Sequence, residues 1–189
     1  MTTLWMVRHG PTHAKAMIGW TDLPADLSDT DAIARLRTEL PDAPIVSSDL
    51  IRAVATADAL QPSVRLHHDR NLREINFGVW DGLTFAQAEE KNPELLRAYW
   101  ENPGDVAPPE GESWNTVRAR VDASLDRHIA LGYPNLIVVA HFGAILTQVQ
   151  RALGITSYEA FGHKISNLSV TKIEANSFGW AAPMINHIA

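Results

Sequence analysis

One apolar run constrains the fold of this chain more than any other feature. Residues 136–140 read LIVVA, with no polar position, and His141 follows immediately. A strand that is apolar at every position is covered on both faces, as strands of parallel sheets flanked by helices are. The run therefore predicts a buried strand in an α/β fold, and it raises the question of why a histidine stands at its end.

Strand-like and helix-like segments alternate along the rest of the chain. Strands are predicted at 3–7, 44–46, 64–67, 168–174 and 180–185, and helices at 29–40, 50–60, 84–92, 93–101, 113–131 and 143–153. Ser47, Ser48 and Asp49 are good N-cap residues for the helix at 50–60. This order predicts a three-layer α/β/α sandwich with a mainly parallel mixed sheet, residues 1–189 being one domain with an inserted helical cap at roughly 71–115.

Composition excludes several classes of site. The absence of cysteine rules out disulfides, a thiolate nucleophile and cysteine-ligated metals, and the net charge of −6 without a Lys/Arg run argues against a nucleic-acid partner. No apolar stretch approaches the roughly 20 residues that cross a bilayer, and no signal-peptide pattern opens the chain. We expect a cytoplasmic protein with no membrane or nucleic-acid partner.

Charged residues follow three of the predicted strands. The first strand ends at Arg8 and His9, Arg52 lies one turn into the helix after the second, and His141 follows the apolar run. Parallel strands present such residues at one edge of the sheet, where helix N-termini also gather. Because grouped cations repel one another, a dianion such as phosphate is the expected partner.

The same residues predict chemistry as well as binding. Imidazole attacks phosphorus to give a phosphohistidine, and nearby positive charge stabilises the transferring group. The leaving alkoxide needs a proton, for which Glu74, among apolar neighbours, is the preferred donor. Other acids of the same region remain candidates: Asp81, Glu89, Glu90, Glu110 and Glu112.

Five ordered motifs resemble the histidine phosphatase superfamily, phosphoglycerate mutase-like branch. They are VRHG (7–10), SSDLIRAVATA (47–57), LREINFGVWDG (72–82), PPEGES (108–113) and VVAHFGAI (138–145), within a resemblance that covers 4 to about 171. It implies that His9 is the phosphorylated nucleophile, Arg8 and Arg52 bind phosphate, His141 stabilises the transferring charge and Glu74 is the proton donor. The chain looks most similar to α-ribazole phosphatase-like and broad-specificity members, which implies a phosphatase without metal or other cofactor.

The chain departs from the family pattern around the phosphate shell. Pro11 follows RHG where Glu or Gln is common, and Lys15 stands where many members have Asn. Ile18 precedes Gly-Trp in place of a small hydroxyl residue, and Phe142 replaces a frequent Gly. We expect the Phe142 backbone N–H and the Lys15 side chain to contact phosphate.

Other interpretations remain open from the sequence. Arg8-His9 is also compatible with a surface turn, His141 with a core histidine, and His13 or the His67-His68 pair with a metal site. Phosphoglycerate mutase-type transfer, protein phosphohistidine dephosphorylation, or phosphate-ester binding with little turnover are alternatives to hydrolysis. The expected partner is a small phosphate ester; the chain is compatible with a homodimer.

Overall fold

The computed structural model describes residues 1–176 and 179–189, and its centre is a five-stranded sheet. The strands are β1 (Thr2–Arg8), β2 (Ile45–Ser47), β3 (Asn135–Ala140), β4 (Val170–Asn176) and β5 (Gly179–His187), in the order β2-β3-β1-β4-β5. Both β1 and β2 pair in parallel with β3, whereas β4 is antiparallel to β1 and β5 to β4. The predicted mixed sheet with a parallel core is confirmed.

Helices cover both faces of this sheet. They are α1 (Thr30–Glu39), α2 (Ile51–Ala59), α3 (Phe85–Lys91), α4 (Pro93–Glu101), α5 (Trp114–Ile129), α6 (Phe142–Leu153) and α7 (Ser157–Phe161). On one face Val7 and Val139 pack with apolar residues of α1 and α2, and on the other Met6 and Val138 pack with those of α5 and α6. The three-layer prediction is therefore confirmed, because β1 and β3 are buried from both sides.

Two local predictions are wrong. Residues 64–67 form no strand: Arg65 makes one isolated bridge to Ile45, because β2 has only three residues and offers few pairing positions. The Ser47-Ser48-Asp49 cluster does not cap α2 either, since its N-cap is Leu50, without a side-chain bond. Instead Asp22, from the long segment after β1, accepts the Ile51 N–H at 2.7 Å.

Residues 70–113 connect the α2 side of the molecule to α5. They contain two short 3-10 turns, Arg70–Leu72 and Gly78–Trp80, followed by α3, α4 and a loop. Trp80, Tyr99 and Trp114 are fully buried, so these aromatic side chains belong to the core. Within the described residues no helix has both the length and the apolar character needed to cross a membrane.

Candidate active site

The ends of β1 and β3 bring two histidines together. Arg8 is in register with Ala140, so His9 and His141 leave the sheet side by side. Their ring centroids are 5.0 Å apart with the planes tilted by 57°. Both side chains are buried, His9 at 5% exposure and His141 at 0%.

The backbone around His9 is held from three directions. His9 N–H donates to the Ala140 carbonyl (3.1 Å), Asn167 Nδ2 donates to the His9 carbonyl (2.8 Å), and Gly10 N–H donates to Thr56 Oγ1 (2.9 Å). Asn167 and Thr56 were not singled out from the sequence, because nothing local relates them to residue 9. The nucleophile candidate therefore sits on a fixed backbone.

The His9 side chain has a defined tautomer. Nδ1 lies 2.7 Å from the Gly10 carbonyl oxygen, which only accepts, so Nδ1 carries the proton and Nε2 keeps its lone pair. Burial lowers the His9 pKa to about 3, and the charges of Arg52 and Arg8 act in the same direction, against the Gly10 bond. The ring is therefore neutral near pH 7, as a nucleophile requires.

His141 lies beside it with unmet hydrogen-bonding capacity. Among the described residues neither His141 ring nitrogen has a partner, and Arg8 Nε is also buried and unpartnered. Burial first, and then the neighbouring His9 and Arg52, hold the His141 pKa well below its usual value. Buried polar atoms are ordinarily bonded, so this cluster fits a polar ligand rich in acceptor oxygens.

The half-buried Arg8 and the buried Arg52 supply the positive charge. Arg8 Nη1 donates to the Ile165 carbonyl (2.6 Å), and its guanidinium lies 5.6 Å from the centre of the Phe142 ring. Arg52, 1% exposed, donates to two backbone carbonyls of the segment that follows β1. Burial lowers the pKa of both guanidinium groups, and the Glu74 carboxylate partly offsets that effect.

Glu74, which lies between the two 3-10 turns, extends its carboxylate to the start of α6, next to His141. Its Oε1 accepts N–H bonds from Ile75 and Gly143, both at 2.9 Å, so it lies at the start of α6. Burial raises the Glu74 pKa, while these N–H groups and the two arginines oppose the rise. A Cβ on Gly143 would lie 2.5 Å from Glu74 Oε1, so only glycine permits this approach.

Arg120 fixes the backbone that carries Glu74. Its guanidinium donates to the carbonyls of Asn71 (2.9 Å), Arg73 (2.8 Å) and Glu74 (2.8 Å), and to both Glu112 oxygens (2.8 Å each). All five donors are thereby used. This residue was missed from the sequence, where it is one of several arginines on an amphipathic helix.

The remaining predicted site residues lie in different surroundings. Lys15 is exposed, and the half-buried Phe142 ring stands next to Arg8. At the start of α6 it is Gly143 whose N–H donates to Glu74. Of the other acids, Asp81 and Glu112 already accept backbone N–H groups, and Glu89, Glu90 and Glu110 are exposed.

The histidines that suggested a metal site are engaged elsewhere. His13 Nε2 lies 2.8 Å from Asp26 Oδ2 on the surface, and His68 Nδ1 lies 3.0 Å from Arg65 Nη2. In the part of the chain that the structure describes, no three or more His, Asp or Glu side chains are grouped to hold a metal ion.

The chain is an α/β protein with two adjacent histidines at one edge of its sheet, in a site suited to binding an anion. The chain belongs to the histidine phosphatase superfamily (branch 1), whose family model matches residues 4–188. The resemblance inferred from the five motifs is confirmed.

Curated relatives agree with this assignment. The chain is 34% identical over 169 residues to the bifunctional protein Rv2228c of Mycobacterium tuberculosis, matching 80% of this chain and 44% of that protein. It therefore spans less than half the length of this relative. It is 28% identical to the probable phosphoglycerate mutase GpmB of Shigella boydii serotype 18, over 96% of this chain and 89% of that protein.

Solved structures have the same fold over the whole chain. The native structure of mycobacterial glucosyl-3-phosphoglycerate phosphatase Rv2419c matches at a TM-score of 0.84 with 28% identity, covering 100% of both chains. The α-ribazole phosphatase of Shigella flexneri matches at a TM-score of 0.84 with 22% identity, over 100% of this chain and 98% of that one. It has the same fold as this chain.

Proposed function

We propose that this protein hydrolyses small phosphate monoesters through a phosphohistidine on His9. The observation that carries the proposal is the tautomer of His9, which leaves Nε2 unprotonated among two guanidinium groups and an unpartnered His141. Membership of the histidine phosphatase superfamily and the similarity to the glucosyl-3-phosphoglycerate phosphatase Rv2419c support it. We assign direct phosphate contacts to Arg8, Arg52, His141 and the Phe142 N–H, and a solvent-screened attraction for the phosphate to the exposed Lys15.

In the first step, His9 Nε2 attacks phosphorus and the ester P–O bond breaks. The departing oxygen takes a proton from Glu74, so the alcohol leaves neutral. Charge on the transferring group is stabilised by the buried guanidinium groups and by His141, which supply the electrostatic role that a metal has elsewhere. This assignment requires protonated Glu74, consistent with the direction of its pKa.

In the second step, water attacks phosphorus while Glu74, now a carboxylate, accepts its proton. The N–P bond breaks, and inorganic phosphate leaves with His9 neutral again. Each turnover therefore consumes one ester and one water and yields one alcohol and one phosphate. We further propose that residues 71–115 form the cap facing the leaving group, and that cap shape sets substrate choice.

A mutase is the second candidate, favoured by the similarity to GpmB. It shares the first step and differs in the acceptor, since a second substrate hydroxyl replaces water. The two are separated by supplying an acceptor alcohol together with the ester and following the phosphate. Release as inorganic phosphate supports hydrolysis, and transfer to the acceptor supports the mutase.

The proposal is tested by hydrolysis of p-nitrophenyl phosphate in excess chelator. Wild type is expected to turn over and to incorporate acid-labile phosphate during the reaction. His9→Ala is expected to lose at least 1,000-fold in kcat/KM and all incorporation. His13→Ala, a histidine on the surface close by in sequence, is the matched control and is expected to keep full activity.

Turnover that persists in His9→Ala would overturn the assigned nucleophile. Normal affinity for inorganic phosphate without turnover, tested on several esters, would instead favour a phosphate-ester-binding protein.

A further inference from the structure

The turn after the second 3-10 helix binds the segment that follows β1 through one carboxylate. Asp81 Oδ2 accepts the N–H groups of Trp20 (2.8 Å) and Thr21 (3.1 Å), and Oδ1 accepts that of Gly19 (3.2 Å). Three successive N–H groups on one carboxylate fix the local backbone conformation.

Two backbone hydrogen bonds also join Met17 to the residues that follow Asp81. Gly82 N–H donates to the Met17 carbonyl (2.8 Å), and Met17 N–H donates to the Leu83 carbonyl (2.9 Å). Space is also limited, because a Cβ on Gly19 would collide with the Ile75 carbonyl oxygen. The segment 17–21 therefore has one position, and its carbonyl groups point in fixed directions.

Two of those carbonyl groups hold Arg52. The Gly19 oxygen accepts from Nη2 (2.6 Å) and the Thr21 oxygen from Nη1 (2.9 Å). The Trp20 N–H that Asp81 binds and the Gly19 carbonyl that accepts from Arg52 belong to the same peptide unit, and the Thr21 N–H lies one peptide unit before the Thr21 carbonyl. The Asp81 charge also favours the protonated form of the buried Arg52 guanidinium, whose pKa burial lowers.

We propose that Asp81 is the positioning residue for Arg52, acting through the 19–21 backbone so that the free edge of the guanidinium faces the phosphate. This inference rests on the proposed phosphate contact of Arg52, although not on turnover. Asp81 accepts hydrogen bonds from the backbone of residues 19–21 and not from His9 or Arg52, so its effect on phosphate binding is indirect.

The test uses inorganic phosphate as the ligand and titration calorimetry as the measurement, so no catalytic step is involved. Arg52→Ala is expected to weaken phosphate binding by about 30- to 100-fold, the loss of one charge-assisted bidentate contact. Asp81→Asn keeps the size of the side chain but turns an NH2 group toward one N–H, and a 5- to 10-fold weakening is expected. Asp81→Glu, which retains the acceptors, is expected to recover part of that loss.

The decisive measurement is the double variant. If Asp81 acts through Arg52, Asp81→Asn adds nothing to Arg52→Ala, and the double variant binds phosphate as the single Arg52 variant does. Asp69→Asn is the matched control, because Asp69 also accepts several bonds, from Asn71 N–H and Ser124 among others. It is expected to lower stability without changing phosphate affinity.

Three outcomes would overturn the inference: unchanged phosphate affinity in folded Asp81→Asn, multiplicative losses in the double variant, or no measurable phosphate binding by wild type. Lost turnover with intact phosphate binding and intact coupling would count against the proposed hydrolysis alone.

Discussion

His9 and His141 lie with ring centroids 5.0 Å apart, and burial lowers the pKa of each. Two neutral imidazoles coexist there, whereas two imidazolium ions beside Arg8 and Arg52 would repel. The pair therefore links the protonation of the site to the stability of the fold.

The first prediction concerns stability in acid. The unfolded chain binds protons on these histidines below about pH 6.5, while folded His9 stays neutral to about pH 3. The shift has no effect on folding stability above pH 6.5 and costs stability as the pH falls from 6.5 toward 3, because the unfolded chain binds a proton that folded His9 does not; the lowered pKa of His141 acts in the same direction. Urea unfolding of His9→Asn between pH 7 and 4.5 should give a shallower slope than wild type. The exposed His67→Asn is the control, and equal slopes for His9→Asn and wild type would contradict the pKa assignment.

The second prediction separates Glu74 from the nucleophile. Glu74→Gln cannot donate a proton, so first-turnover cleavage of an alkyl phosphate should slow at least 100-fold. First-turnover release of p-nitrophenolate, which needs no proton, should slow less than 10-fold. Rapid quench of both reactions measures the difference. Equal losses on the two esters would place the acid on another residue.

The third prediction tests the approach of Glu74 to α6. Gly143→Ala introduces a Cβ 2.5 Å from Oε1 and 2.7 Å from the Ile75 side chain, so the carboxyl group must move. Turnover of alkyl phosphates should fall at least 10-fold, while inorganic phosphate binding stays within about 3-fold of wild type. Ala144→Gly changes the next helical residue as a control for helix destabilisation. A larger loss in phosphate affinity than in turnover would contradict this role.

The fourth prediction concerns Arg120. Arg120→Leu removes the Arg120 bonds to three carbonyl oxygens and to the Glu112 carboxylate, at a cost of about 2–4 kcal/mol in unfolding free energy, although Trp20 Nε1 still donates to the Glu74 carbonyl and Asn76 N–H to Glu112. Because Glu74 loses its anchor, kcat on alkyl phosphates should fall more than phosphate affinity does. Arg118→Leu, which removes a half-buried arginine two residues away in the same helix that pairs with Asp122 and not with the Glu74 backbone, is the control. Unchanged kcat in the folded variant would show that other contacts suffice to hold Glu74.

The fifth prediction addresses Lys15. Its side chain is exposed, so any attraction for phosphate acts through solvent and is screened by salt. Lys15→Ala should lower kcat/KM about 2- to 5-fold at low ionic strength and leave it unchanged at 0.5 M salt. A loss that persists at high salt would indicate direct contact, with Lys15 folding over the bound ester.

The sequence predicted the sheet edge well because the signals there are local. Apolar runs determine β1 and β3, and each is followed directly by a polar residue, so parallel pairing is enough to bring His9 to His141. The same strand-end argument indicated Arg52, the apolar neighbours of Glu74 indicated a proton donor, and the motif resemblance added a role for each.

Supporting residues escaped prediction because their partners are distant in sequence. Asp81 binds backbone 60 residues earlier, and Asn167 binds a carbonyl 158 residues earlier. Asp81 was considered only as a proton donor, and its three backbone bonds exclude that role in this conformation. Backbone N–H and carbonyl groups are the same at nearly every residue and leave no pattern in side-chain identity, which also explains why Asp22 was missed as the acceptor of the Ile51 N–H at the start of α2.

The anchoring of Glu74 has a consequence for how such a protein diversifies. Arg120 belongs to α5, a helix of the sandwich, and Gly143 to α6, so the bonds that hold the acid come from the scaffold and not from α3 or α4. We therefore expect the exposed positions of residues 85–101 to change without moving the reactive groups, whereas the buried Ala88, Leu96 and Tyr99 stay tied to the core. Under the proposed function, divergence at these exposed positions would exchange one leaving group for another while the chemical step stays the same.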